Sequence, residues 1–137
     1  MTLLGRALAT GLRMTALRRL YNIYLQEQTP QSRGIRLLRS WLSPAQRAQF
    51  DSEGQFDVIG SESGRRYRIS YGTAANIHEV DEAGRLGTGW CFVPEGGLVV
   101  GDIMLAQKIA LETSEMSAMA IANRFPLSVF SPRRGRV

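Results

Sequence analysis

A chain of 137 residues with 44% apolar and 21% charged residues has the size and composition of one globular domain, which excludes a low-complexity or disordered protein. Its net charge of +5 comes from 17 basic and 12 acidic residues. A single cysteine, Cys91, excludes an internal disulfide bond and a multi-cysteine zinc site, so a reducing, cytoplasmic location is expected.

Charge is distributed unevenly along the chain. Residues 1–50, 51–123 and 124–137 carry net charges of +7, −6 and +4. The basic ends can bind an anionic partner, or they can fold back on the acidic middle of the same chain. No run approaches the roughly 20 apolar residues that a membrane span requires, so no transmembrane segment is predicted.

Residues 1–30 are predicted to contain an N-terminal helix from Leu3 to Leu25 that is apolar on nearly every side and punctuated by arginines. One stripe at three-to-four spacing comprises Leu3, Ala7, Met14, Leu17, Tyr21 and Tyr24. Such a helix requires burial on more than one side. Either it packs on its own domain, or it docks on another subunit or a membrane surface through Leu3, Met14, Leu17, Tyr21 and Tyr24.

A second helix is predicted over residues 31–42, with Thr29 as N-cap and Pro30 in the first turn. Its apolar side comprises Ile35, Leu37, Leu38, Trp41 and Leu42, and its polar side carries Arg33, Arg36 and Arg39. The arginine row is either a solvated face or a contact for an anionic partner. The Ser43-Pro44-Ala45-Gln46 run is a capping box that starts a third short helix.

Four runs with a period of two predict an antiparallel meander. They span residues 55–60, 65–71, 75–80 and 85–93. The turn lengths predict the pairs Gly60–Arg65, Tyr71–Ala75 and Val80–Arg85. This register places one apolar set on a single face: Phe56, Val58, Tyr67, Ile69, Tyr71, Ala75, Ile77, Leu86, Trp90 and Phe92.

The opposite, outer face of the sheet is the polar candidate surface. It carries Arg66, Arg68, Asn76 and His78, with Arg65 at its edge. These side chains can hold phosphates or an acidic peptide. The same register sets Asp57 opposite Arg68, so a cross-strand ion pair is the structural alternative.

A long C-terminal helix over residues 103–123, capped by Asp102, is predicted to cover the apolar face of the sheet. Its core stripe is Leu105, Ile109, Met116 and Ala120. Residues 126–137 are predicted to be a flexible basic tail. The predicted fold is therefore α+β, with N-terminal helices, a four-stranded antiparallel meander and a C-terminal helix packed on the sheet in one domain of residues 31–125.

Catalytic chemistry has little support in the sequence. A thiol nucleophile needs an imidazole within hydrogen-bond reach, but the predicted register sets His78 opposite Gly87, four residues from Cys91. We predict no catalytic residue, no metal site and no cofactor.

Three blocks of the central region carry a resemblance. Gly64–Ile69 has a Gly-Arg-x-Tyr-Arg-Ile pattern, Trp90–Pro94 reads Trp-Cys-Phe-Val-Pro, and Gly101–Lys108 reads Gly-Asp-x-Met-Leu-Ala-Gln-Lys. In these blocks the chain resembles a group of small bacterial proteins. The resemblance implies no activity and no site residue.

Two functions remain as sequence-based expectations. The first is a non-enzymatic interaction or accessory protein that docks on an acidic or apolar protein partner, or on another copy of itself, through its N-terminal helix and arginine-rich surface. The alternative is a small nucleic-acid-binding protein that uses the outer sheet face, the arginines of the second helix and the basic tail.

Overall fold

The computed structural model describes residues 3–92, 94 and 96–125. Its helices are α1 (Leu3–Glu27), α2 (Pro30–Trp41), α3 (Pro44–Glu53), α4 (Val100–Thr113) and α5 (Glu115–Ile121). Its strands are β1 (Gln55–Ile59), β2 (Arg66–Ser70), β3 (Ile77–Val80), β4 (Leu86–Cys91) and β5 (Asn123–Phe125). The predicted α+β class is confirmed, with five strands instead of four. The predicted basic tail at residues 126–137 lies outside the described residues.

Local capping signals define the starts of α2 and α3. The Thr29 side chain accepts a hydrogen bond from the Ser32 amide, and Ser43 and Gln46 form a reciprocal capping box. Both predicted caps are confirmed. The start of α4 is different, because Val99 is the N-cap and Asp102 lies within the first turn.

The strands form one antiparallel sheet in the order β1-β2-β3-β4-β5. The fifth strand pairs with β4 where the long C-terminal helix was predicted to end. At this edge the Arg124 guanidinium lies 5.8 Å from the centroid of the Trp90 ring, a cation–π contact. The predicted helix is therefore too long at its C-terminal end.

Pairing between β1, β2 and β3 follows the predicted register, but pairing between β3 and β4 does not. The turn sets Val80 opposite Leu86 instead of Arg85, and a β-bulge between His78 and Val80 adds a second one-residue shift, so His78 lies opposite Gly89 instead of Gly87. The extra residue of a bulge shifts every later pair. Cys91 is consequently two residues from the partner of His78, not four, and its sulfur accepts a hydrogen bond from the Ala75 amide at 3.3 Å.

The core lies between one face of the sheet and helices α2, α3 and α4. It is formed by Leu38, Leu42, Phe50, Phe56, Val58, Tyr67, Ile69, Ile77, Phe92, Met104, Leu105, Leu111 and Ala118. Tyr71 and Leu86 were predicted on this face but are exposed. Tyr71 lies beyond the end of β2. Ile109 and Met116, predicted in the helix core stripe, are exposed as well.

Helices α2 and α4 cross at two glycines. A Cβ atom on Gly101 would lie 2.2 Å from the carbonyl carbon of Gly34, and one on Gly34 would lie 2.6 Å from a Val99 methyl group. Such distances are far below van der Waals contact. The two backbones therefore approach each other only because neither position carries a side chain.

Ser61 interrupts the predicted C-terminal helix between α4 and α5. In a continuous helix the Glu115 amide would donate to the Leu111 carbonyl oxygen. Instead the Ser61 amide donates to the Leu111 oxygen at 3.0 Å, and the Glu115 amide donates to Ser61 Oγ at 3.1 Å. Ser61 of the β1–β2 turn thus bonds both to the Leu111 oxygen and to the Glu115 amide, which would otherwise bond to each other. This replacement of a helical hydrogen bond explains the break at Ser114.

The same turn holds a buried carboxylate. Glu115 is 3% exposed, and its oxygens accept hydrogen bonds from the amides of Glu62 (3.0 Å) and Ser63 (2.7 Å), from Ser63 Oγ (2.5 Å) and from the Tyr67 hydroxyl (2.6 Å). Burial favours the neutral acid, but these donors outweigh it and lower the pKa of Glu115 to about 2. Burial and the Glu115 charge raise the pKa of Tyr67 to about 12. This cluster ties α5 to the sheet.

Candidate functional site

Helix α1 stands apart from the core. Every side chain from Gly11 to Glu27 is exposed, and among helices and strands its principal contact is with α2. At that contact Arg36 Nη2 donates to the Glu27 carbonyl oxygen at 2.6 Å. Eight large apolar side chains of α1 face solvent: Leu12, Met14, Leu17, Leu20, Tyr21, Ile23, Tyr24 and Leu25.

These apolar side chains occupy a broad arc of the helix. At about 100° per residue they extend over roughly two-thirds of the circumference. The remaining third carries Thr15, Arg18, Arg19, Asn22 and Gln26. Of the predicted docking residues, Met14, Leu17, Tyr21 and Tyr24 are therefore exposed together on this helix, while the side chain of Leu3 lies outside the described set. We call α1 the docking helix from here on.

Exposure of the docking helix leads to a prediction about stability. Leu20 is 63% exposed and Leu38 is 0% exposed. Leu20→Ala should change the free energy of unfolding by no more than about 0.5 kcal/mol, whereas the matched variant Leu38→Ala should lose about 2–5 kcal/mol by leaving a cavity. Urea unfolding followed by circular dichroism measures both. A loss of stability in Leu20→Ala equal to that in Leu38→Ala would mean that α1 packs on the domain.

On the outer sheet face, two of the predicted arginines, Arg65 and Arg66, line one cleft, whereas Arg68 is paired separately. Arg68 Nε and Nη2 donate to the two Asp57 carboxylate oxygens at 2.8 and 3.2 Å, so the predicted cross-strand pair is confirmed. Burial raises the pKa of Asp57, but the hydrogen bonds from Arg68 and Gln49 lower it by more. Arg65 lies 3.3 Å from Glu79. Arg66 is exposed in a shallow cleft that Asp81 and Glu82 also line.

Asn76 and His78 are not available on that face. Asn76 is buried on the core side, where its amide exchanges two hydrogen bonds with the Gln107 amide at 2.8 and 3.0 Å. Its predicted orientation is wrong, because Ala75 adopts a left-handed backbone conformation with φ of 54° just before it. His78 is 8% exposed, and burial lowers the pKa of its imidazole.

The arginines of α2 lie beside a fourth arginine that the sequence did not single out. Arg33, Arg36 and Arg39 are exposed, and Arg47 of α3 donates Nε to the Arg39 carbonyl oxygen at 3.1 Å. Arg39 pairs with Asp51 at 2.7 Å. Within the described part of the chain, no carboxylate forms an ion pair with Arg33, Arg36 or Arg47.

Two adjoining clefts run along this row. The larger has a volume of about 510 Å³ and is lined by Glu27, Gln31, Ser32, Ile35, Arg36, Arg39 and Tyr71. The smaller, of about 260 Å³, is lined by Arg36, Arg39, Ser40 and Arg47. Because they share Arg36 and Arg39, we treat them as one surface, the arginine cleft. The Tyr71 side chain is 60% exposed there.

Sequence reasoning missed Arg47 and Tyr71 for different reasons. The capping box at Ser43 predicts that α3 follows α2 directly, but the angle between the two helices decides whether Arg47 meets Arg39. Tyr71 continues the apolar alternation of β2, which favoured a core position. It lies one residue past the strand, where its amide donates to the Gly54 oxygen at 2.9 Å.

Neither homology nor a metal centre adds to this description. No protein-family model, curated protein or solved structure matches the chain. Within the described ranges, no three histidine, cysteine or acidic side chains converge as metal ligands. The helices of the same ranges include none that is long and apolar enough to cross a membrane.

Proposed function

We infer that this protein is a non-enzymatic interaction or accessory protein that docks on a protein partner through α1. The observation that carries the proposal is the eight large apolar side chains exposed on this one helix. Each half-exposed side chain of this size forgoes about 1 kcal/mol of burial energy in the free chain. Contiguous apolar surface of this kind is typical of interaction sites.

The shape of the apolar arc favours a groove as the complementary surface. A helix that lies on a bilayer buries one face and keeps a wide polar face in water. The docking helix is apolar over roughly two-thirds of its circumference, so a flat surface would leave much of the arc in water. A groove between elements of another protein covers both sides of such a helix.

Charge specifies the rim of that groove. Arg18 and Arg19 lie on the polar third of the docking helix, whereas Arg13 and the acidic residue Glu27 lie within the apolar arc, and all four are exposed. Two copies of α1 packed together would bring these arginines close to one another. An apolar groove with an acidic rim fits better than a second copy of α1, because its carboxylates would attract the same arginines.

Site-specific photo-cross-linking tests the proposal. A photoreactive amino acid at position 17, on the apolar arc, should give a discrete adduct with another protein in cells that express the full chain. The matched control at position 82, an exposed turn residue, should not. Absence of an adduct at position 17, or the same adducts from both positions, would contradict the proposal.

Light scattering provides a second, independent measurement. The full chain free of its partner should be monomeric at low protein concentration, because the arginines of α1 oppose pairing of the helix with itself. A stable dimer that Leu17→Glu converts to monomer would assign α1 to self-association instead.

A further inference from the structure

We propose that the arginine cleft binds single-stranded nucleic acid, with Arg36 and Arg47 contacting phosphates and Tyr71 stacking on a base; Arg39 lies between them but is already paired with Asp51. Of α1 only Glu27, its last residue, lines this site, and none of the eight exposed apolar side chains of the docking helix does. The site therefore adds a second binding activity to the proposed function and does not depend on it.

The positive charges of Arg36 and Arg47 are not compensated by a carboxylate within the described residues. The hydrogen bonds of Arg36 and Arg47 go to neutral carbonyl oxygens, those of Glu27 and Arg39, at 2.6 and 3.1 Å. These bonds orient the guanidinium groups without neutralising them. Each group keeps donors directed outward, and guanidinium is well suited to paired hydrogen bonds with phosphate oxygens.

Convergence from several elements is the second argument. Arg36 and Arg39 lie on α2, Arg47 on α3, and Tyr71 follows β2. They line one surface, whose larger cleft has a volume of about 510 Å³ and is largely open to solvent. Solubility of a helix requires only that its arginines be exposed. It does not require an arginine of a neighbouring helix and an exposed aromatic ring on the same surface.

The exposed ring of Tyr71 favours nucleic acid over a simple anion as the ligand of this cleft. A tyrosine ring that is 60% exposed beside cationic side chains offers a stacking platform next to a phosphate site. Bases are available for stacking on a side chain when they are unpaired, which favours a single strand over a duplex. The carboxylate of Glu27 on the wall of the larger cleft would repel a phosphate placed there, so we assign the phosphates to the smaller cleft, between Arg36 and Arg47.

Fluorescence anisotropy with the full chain tests the proposal, using labelled single-stranded RNA and DNA of about 12 nucleotides at about 50 mM salt. The affinity should fall with salt at a logarithmic slope of about −1.4, as expected for two phosphates on a single strand. Absence of binding at this salt concentration would overturn the proposal.

Matched charge variants locate the site. Arg36→Gln and Arg47→Gln should each weaken binding on the order of tenfold and reduce the magnitude of the salt slope by about 0.7. Arg85→Gln, at an 82% exposed side chain of the β3–β4 turn, removes the same charge and should leave the affinity unchanged. If Arg85→Gln or Arg18→Gln weakens binding as much as Arg36→Gln, attraction is general and the cleft assignment is wrong.

Variants of Tyr71 test stacking separately from phosphate binding. Tyr71→Ala should weaken oligonucleotide binding on the order of tenfold, while Tyr71→Phe retains it. Inorganic polyphosphate, which has no bases, should bind the wild type and Tyr71→Ala equally. An oligonucleotide affinity that is the same in Tyr71→Ala and the wild type would overturn the assignment of the ring to a base.

Discussion

Replacing Glu115 with alanine should destabilise the protein by roughly 3–5 kcal/mol, because the substitution leaves several buried donors without an acceptor. The carboxylate accepts bonds from the amides of Glu62 and Ser63 and from the hydroxyls of Ser63 and Tyr67. Urea unfolding measures the loss. Glu82→Ala, at an exposed acid of the β3–β4 turn, is the control and should cost less than about 0.5 kcal/mol.

The same carboxylate should make stability depend on pH in the acidic range. The pKa of Glu115 is lowered from 4.5 to about 2 in the folded protein. Since the folded-state pKa is lower, its contribution is complete above about pH 4.5 and is lost as the pH falls toward about 2. The difference corresponds to on the order of 3 kcal/mol. Glu115→Gln should lose that part of the pH dependence while retaining the part due to Asp57, whose pKa is also lowered.

A comparison of unfolding free energies at about pH 6 and about pH 3 for the wild type and Glu115→Gln separates these contributions. Equal acid-induced losses in the two proteins would show that Glu115 is not held as a carboxylate.

Gly101→Ala should be the second severe substitution. Its added Cβ would lie 2.2 to 2.5 Å from backbone atoms of Gly34 and Ile35, and backbone cannot move aside as a flexible side chain can. Helices α2 and α4 would have to separate, which also loosens the core contacts of Leu38 and Met104. We expect a loss of at least about 3 kcal/mol, at the upper end for overpacked cores.

Gly97→Ala is the matched control for this prediction, because a Cβ at Gly97 meets no atom within 4 Å. Thermal unfolding of both variants measures the contrast. Equal melting temperatures for Gly101→Ala and the wild type would contradict the close approach of α2 and α4. A shift in Gly97→Ala as large as that in Gly101→Ala would indicate a general effect of the substitution.

Much of the fold could be predicted because it depends on contacts between near neighbours in the chain. The caps at Thr29 and Ser43 and the Asp57–Arg68 pair depend on capping residues or on a four-residue turn between strands.

Most of the incorrect sequence-based predictions share one physical cause, which is contact between residues that are distant in the sequence but close in the fold. Asn76 turned to the core because Gln107 offers both a donor and an acceptor there. The helix break at Ser114 depends on Ser61, more than fifty positions earlier. A one-residue bulge after His78 changed the β3–β4 register. The local periodicity of the sequence indicates neither the orientation of Asn76, nor the helix break, nor the change of register.

The sequence by itself determined the class of the fold, the starts of α2 and α3, the apolar face of β1–β3 and the exposed arginine row of α2, since alternation and capping act over a few residues. Tertiary structure alone decided which side chains lie beside that row. The angle between α2 and α3 brings Arg47 to Arg39, and the end of β2 places Tyr71 beside Arg36. It also decided that α1 extends away from the domain, because burial depends on which surfaces remain uncovered after the core has formed.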